Sequence, residues 1–176
     1  TDHTQDIIDR FPVKAIQQVN KGLASARNTG IMNATGDRIL FLDADDILQD
    51  NCVEELLKID ADVVAPSFKT FGTTNELVIL QPNPTIEDFK TGNRIGYCAL
   101  FKKDALLEVG GYSPRMTWGY EDYALTFDLL KRGKTLITVP GVLWLYRTKE
   151  VSMLTEAREH HDELMAQIMK DNPTLW

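Results

Sequence analysis

The sequence predicts an α/β fold built on a mixed, mostly parallel sheet flanked by helices. Three observations predict it. Apolar runs of strand length alternate with helix-period segments along the chain. One run, residues 39–42, is apolar throughout, as in a strand buried on both faces at the centre of a parallel sheet. It leads into Asp43, Asp45 and Asp46, and carboxylates that end such a strand stand at the sheet's carboxyl edge, where open α/β sheets bind ligands.

The elements follow in order. Residues 5–11 read as a helix with Ile7, Ile8 and Phe11 facing inward, ended by Pro12. Residues 13–19 read as a short strand. Asn20-Lys21-Gly22 is a turn in which Gly22 can take positive φ. Residues 23–35 carry Leu23, Ala26, Ile31 and Ala34 at roughly helical spacing, with Gly36 as the stop. Gly30 inside that segment predicts a close neighbour or a break. After the acidic strand, Asp50 is placed to cap a helix with Val53, Leu56 and Leu57 on its apolar face. Residues 61–71 form a second apolar strand, and 77–80, after the Gly72–Asn75 turn, pair with it or extend it. Residues 81–85 are a loop, 85–90 a turn or two of helix, and 95–101 a strand. Residues 103–109 are a helix stopped by Gly110-Gly111. Residues 113–119 are a loop holding Trp118. Residues 121–132 are a helix with acid first and Lys131 and Arg132 last, as the macrodipole prefers. Pro140-Gly141 splits two strands at 135–139 and 142–146. A terminal helix, 156–170, turns Leu164, Ile168 and Met169 inward. His160 and His161 are adjacent and share no face, so they have no evident chemical setting. The expected division is a domain over 1–153 and a C-terminal helix, within 154–176, packed on it.

Composition sets limits. The 176 residues, 43% hydrophobic and 26% charged, suit one domain with a sizeable core. The net charge of −7, with no basic block, disfavours nucleic acid or an anionic membrane surface as main partner. No apolar run approaches the roughly 18 residues of a membrane-spanning helix. Cys52 and Cys98 lack metal-ligand spacing and read as free thiols in a reducing compartment, so the expected location is cytoplasmic or at the membrane periphery.

The clustered acids carry the chemistry. Three negative charges within four positions repel one another, and a hard divalent cation would relieve that repulsion. The ordinary alternative is an Asp-rich turn that caps the next helix. Asp46 suits capping better than the other two.

Three stretches converge on a family. Asn20-Lys21-Gly22-Leu23-Ala24-Ser25-Ala26-Arg27-Asn28 precedes Ala34-Thr35-Gly36-Asp37, then comes the strand ending in Asp43-Ala44-Asp45-Asp46. Downstream follow Gly110-Gly111-Tyr112 and Trp118-Gly119-Tyr120-Glu121-Asp122. In order and spacing these resemble the family 2 inverting glycosyltransferases of the GT-A type. The resemblance runs from Thr1 to about Met153. It implies a nucleotide-diphospho-sugar transferase fold, a nucleotide-sugar donor (UDP-linked), a carbohydrate or other hydroxyl acceptor, and Mn²⁺ or Mg²⁺.

The resemblance also implies roles. Asp45 would contact the metal directly, and Asp43 the ribose hydroxyls and the metal's shell. Asn20, Gly22, Arg27 and Arg147 would serve the donor. Asp122 would be the general base, Glu121 would orient the acceptor, and Trp118 would offer a flat face to a sugar ring. The ordinary reading of Glu121 and Asp122 is a helix first turn that complements the dipole, and that of Arg27 a solvated helix arginine. Lys149 stands where relatives often carry histidine. An ammonium cannot coordinate a metal but can pair with a phosphate. Thr1-Asp2-His3-Thr4 resembles the end of an acidic turn that two strands and a helix precede in relatives. The expectation is therefore a domain truncated at its N-terminus, with weak or no UDP-sugar binding by this chain alone. An exposed sheet edge would then invite a homodimer.

Two other functions fit parts of the pattern. A strand ending in Asp-x-Asp also marks Mg²⁺-dependent phosphohydrolases of the haloacid dehalogenase type, with Asp43 as nucleophile and Asp45 as acid/base. Asp46-Ile47 departs from their usual continuation. A transferase-like domain used only for binding is the third reading.

Overall fold

The computed structural model describes residues 3–176. Thr1 and Asp2, the start of the turn that resembles an acidic motif, lie outside the described residues. The chain forms α1 (Thr4–Ile8), α2 (Leu23–Asn33), β1 (Arg38–Leu40), β2 (Ile47–Leu48), α3 (Cys52–Leu57), β3 (Val63–Gly72), β4 (Leu77–Val78) and α4 (Ile86–Phe89). It continues with β5 (Leu100–Lys102), α5 (Lys103–Val109), α6 (Glu121–Lys131), β6 (Leu136–Thr148), α7 (Met153–Glu159) and α8 (His161–Asp171).

The sheet runs β1-β5-β3-β6-β2, with β4 beside β3. Among the described residues only β3 and β6 pair in parallel; the other four pairings are antiparallel. The expected mostly parallel sheet is thus corrected. β1 and β3 both run opposite to β5, so β1, β3 and β6 point one way while β5, β2 and β4 point back. An apolar run reports burial on two faces, not direction. The short β5, inserted between β1 and β3, turns both of its contacts antiparallel. β1 is also an edge strand rather than a central one, and all three of its residues are only partly buried.

Both faces are covered. Val63, Ala65, Phe101 and Trp144 join residues of α2, α5, α6 and α8 in the main core. On the other side Cys52 and Leu56 of α3 pack with Val64, Leu100 and Leu143. Cys52 and Leu56, four apart, form the inner face of α3, while Val53 and Leu57 point outward, and Asn51 rather than Asp50 precedes the helix. β6 is one strand across Pro140-Gly141. Pro66 pairs with Val139 and Ser67 with Val142, so the two intervening residues bulge out of the ladder. The closing Gly72, at φ +101°, brings Thr148 O within 2.4 Å of where a Cβ would stand.

The beginning of the chain departs most from expectation. Residues 13–19 form no strand and are exposed, Val19 at 78%. Ile7 and Phe11 are exposed as well. The segment is tied by side chains instead of a backbone ladder: Lys14 Nζ donates to Asn33, Gln17 to Gln5, and Thr29 to Gln18. Gly30 neither breaks α2 nor meets a close neighbour; its surroundings are open. At the other end the single helix expected over 156–170 is two, because the chain turns at His160. Leu164 and Ile168 are buried as expected, and Met169 is exposed.

Candidate active site

The acidic segment crosses from one outer strand, β1, to the other, β2. Its shape is set by Asp46 and Tyr97. The Tyr97 hydroxyl accepts from the Asp43 backbone N–H at 2.9 Å and donates to Asp46 Oδ2. Asp46 Oδ1 accepts from the Arg147 N–H at 2.7 Å. Asp46 therefore ties the acidic turn to the end of β6 and caps no helix. Burial pushes its carboxyl up, against the pull of those two donors.

α2 reaches this segment through Arg27. Ala24, Arg27 and Ile31 form its buried face. The next residue fixes the register: Asn28 Oδ1 accepts from the Tyr112 N–H, and Asn28 Nδ2 donates to Tyr112 O, both at 2.8 Å. This clasp needs Gly111, because a Cβ there would lie 2.4 Å from Asn28 Oδ1. Arg27 is 7% exposed. It donates to Glu121 Oε1 at 2.7 Å and to Asp43 Oδ1 at 3.0 Å, with its guanidinium 4.9 Å from the Tyr97 ring centre. It is thus a buried bridge between two acidic segments rather than a solvated arginine.

α6 opens with Tyr120 in the left-handed region at φ 59°. Glu121 points in to Arg27 and is 7% exposed. Asp122 accepts from the Tyr123 N–H at 2.8 Å through Oδ1 and from Asn93 Nδ2 at 3.0 Å through Oδ2. Burial, and then the charge of Glu121, push the Asp122 carboxyl up to about 6.

A cavity of about 430 Å³ joins these groups. Arg27, Asp43, Glu121 and Asp122 line it, with Asn93 and Tyr97. Asp45 and Arg147 stand apart from this lining, beside each other: Arg147 Nε donates to Asp45 O at 3.0 Å, and its guanidinium lies 4.4 Å from the Phe71 ring centre. Asn20 and Gly22 also stay outside the lining. Asn20 Oδ1 accepts from the Gly22 N–H at 3.0 Å, and Gly22 has the expected positive φ, so the pair shapes the turn into α2. Trp118 lies outside it too, with one face stacked on the His160 ring at 4.4 Å.

Sequence reasoning missed four residues here. Asn93 and Tyr97 sit in segments with no motif. His160 and His161 do have settings: His160 against Trp118, and His161 Nδ1 3.0 Å from the Tyr120 hydroxyl on the cavity wall. All four act through partners remote in sequence, which no local spacing reports.

A divalent cation requires oxygen or nitrogen donors around one point. Among the described residues no three His, Cys, Asp or Glu gather in that way. Mg²⁺ can be held by one or two carboxylates, the rest of its shell being water and phosphate oxygens. Asp43 and Asp45, two residues apart in the acidic turn, supply that number of carboxylates. Lys149 Nζ lies 2.6 Å from Asp45 Oδ2 and holds the carboxyl below the ordinary range.

The model of Glycosyl transferase family 2 matches residues 1–110. An uncharacterized glycosyltransferase of Haemophilus influenzae is 28% identical over 83% of this chain and 55% of its own length. The Escherichia coli protein WfaP, a UDP-Glc:alpha-D-GlcNAc-diphosphoundecaprenol beta-1,3-glucosyltransferase, is 27% identical over 76% of this chain and 56% of its own. The chain spans about half the length of these curated relatives. In three dimensions it resembles S. aureus TarS in complex with UDP-GlcNAc, at TM-score 0.74 and 16% identity, over 96% of this chain and 53% of that one. No helix among the described residues is long and apolar enough to cross a membrane. Matched over more than half of its length and carrying the acidic segments at one cavity, the chain belongs to Glycosyl transferase family 2.

Proposed function

We propose that this chain is the catalytic part of an inverting glycosyltransferase that moves a sugar from a UDP-linked donor to an acceptor hydroxyl, with Asp122 as general base. One observation carries the reading: Arg27 draws Asp43 and Glu121 together at the cavity that Asp122 also lines. The acceptor oxygen forms a bond to the anomeric carbon while its proton passes to Asp122 Oδ2 or Oδ1. The bond from that carbon to the diphosphate breaks, and its electron pair leaves with the diphosphate. Asn93 and the Tyr123 N–H hold the carboxylate in place for this transfer. Glu121, held by Arg27, fixes the start of α6 and leaves its other oxygen to orient the acceptor.

On the donor side, Asp43 serves the ribose, while Arg147 and Lys149 face the diphosphate. Asn20 and Gly22 shape the turn beside it. Asp45, with Asp43, would hold Mn²⁺ or Mg²⁺, which when bound neutralises charge on the leaving diphosphate. Trp118 serves the acceptor by its outer face. Residues 1–153 supply this chemistry, and 154–176 complete the cavity wall. The outer edge of β1 is where a second copy would pair. UDP-GlcNAc, the ligand in the TarS structure, is the first donor to test.

The test is release of UDP from UDP-GlcNAc and other UDP-sugars by the full-length protein in the presence of hydroxyl acceptors. Asp122→Asn should lower transfer by about 10²–10⁴-fold, the usual weight of a positioned base, while UDP affinity holds. Transfer at an unchanged rate in Asp122→Asn would remove the base assignment.

A further inference from the structure

The cavity holds one charge that this chemistry leaves unused. Arg158, on α7, lines it, and its exposed guanidinium makes no hydrogen bond or ion pair with the described residues. The other two cations on the wall are engaged: Arg27 holds Asp43 and Glu121, and Lys90 pairs with Glu87 at 2.8 Å. An anion that enters therefore meets one uncompensated guanidinium.

Position decides which substrate that guanidinium serves. Asp45, Arg147 and Lys149, the groups assigned to the diphosphate, lie outside the cavity lining, whereas Arg158 shares the lining with Asp122. Asp43, assigned to the ribose, lines the cavity too, but α7 packs on the segment just before Asp122, Ala157 against Gly119, and this puts Arg158 on the acceptor side of the site. Beside it Met153, Leu154 and Met165 form an apolar wall, and methionine packs adaptably against a carbon skeleton. A cavity of about 430 Å³ is ample for one sugar with a substituent, small-molecule pockets running from roughly 300 to 1,000 Å³.

We propose that Arg158 binds an anionic substituent, a phosphate ester or a carboxylate, on the acceptor sugar whose hydroxyl faces Asp122. The planar guanidinium suits both groups, since each presents paired oxygens to its two parallel N–H donors. The proposal rests on the glycosyltransferase reading for what it calls the acceptor, though the anion site itself is tested without turnover.

The probes are glucose, galactose and N-acetylglucosamine, each as methyl glycoside and as 1-phosphate, with the uronic acids of glucose and galactose. Binding to the purified protein is followed by NMR, with and without UDP. At least one sugar should bind ten-fold or more tighter in an anionic form than as its methyl glycoside. Arg158→Gln should bring that ratio close to one, and Arg158→Lys should retain part of it. Preference for phosphates alone names a phosphate ester as the source, and preference for uronates alone a carboxylate; either supports the site. Equal binding of anionic and neutral forms, including none of either, overturns it, as does a preference that survives Arg158→Gln. Failure to release UDP from UDP-sugars, with the anion preference intact, would count against sugar transfer and leave the anion site standing.

Discussion

Replacing Arg27 by methionine removes the group that joins α2, the acidic turn and α6, and leaves the buried Glu121 carboxylate with no counter-charge. Breaking a buried pair in this way costs about 3–5 kcal/mol. Asp43 adds little, because its side chain is 37% exposed and water replaces the lost partner, worth about 0–1 kcal/mol. For a chain of this size each kcal/mol corresponds to roughly 2–4 °C, so the melting temperature should fall by roughly 6–20 °C. The second variant separates charge from packing. Arg27→Met with Glu121→Gln removes the stranded charge and should regain more than half of the loss. Both are measured by thermal and urea unfolding at neutral pH. A fall of less than 2 °C for the single variant would refute the buried bridge, in the manner of ~1 kcal/mol or less for an exposed pair. Equal losses in single and double variants would show that shape, not charge, holds the segments together.

Three further outcomes follow from particular contacts. The raised Asp122 carboxyl, at about 6 against about 3.9 when unfolded, keeps its proton in the folded state where the unfolded state has lost it. Its contribution to stability is therefore fully present below about pH 4 and lost as pH rises through about 6. Asp122→Asn should accordingly melt higher than the wild type above pH 6 and alike near pH 4, while wild-type transfer should rise as pH passes through about 6; melting curves with no pH-dependent difference contradict this. Lys149→Ala removes the ammonium that lowers the Asp45 carboxyl, so an NMR titration should find Asp45 moved upward, and an unmoved titration would deny the ion pair. Gly119→Ala places a methyl 2.8 Å from Ala157 Cβ at φ +129°, and should cost about 1–3 kcal/mol in urea unfolding. Adding Ala157→Gly should recover only the clash, not the backbone strain.

Much of the local structure was legible because its causes are local. Gly22, Gly72 and Gly110 take positive φ where turns and helix stops were read, since that choice depends on one residue's lack of a Cβ. The helix at 103–109 ends at its stop glycine, and the helix at 121–131 begins at its first-turn acids, as their local signals place them. The acids after Leu42 and after Tyr120 were picked out by order and spacing together with the family likeness. Strand direction was not legible: the apolar runs of β1 and β3 look alike whether the strand between them runs with them or against them.

By itself, then, the sequence determined the family and most of the helices, strands and turns, and it singled out the carboxylates that the proposed chemistry uses. Only the tertiary structure decided that β1 lies at an edge, that Arg27 is buried between Asp43 and Glu121, and that Asn93 braces Asp122. It also decided that α7 and α8 bring Arg158 and His161 to the wall of the same cavity. The physical reason is range. A turn or a helix stop is settled by a few neighbouring torsions, whereas the environment of a charge is settled by whatever the packed chain sets beside it, and Glu121 reaches Arg27 across a sequence separation of 94.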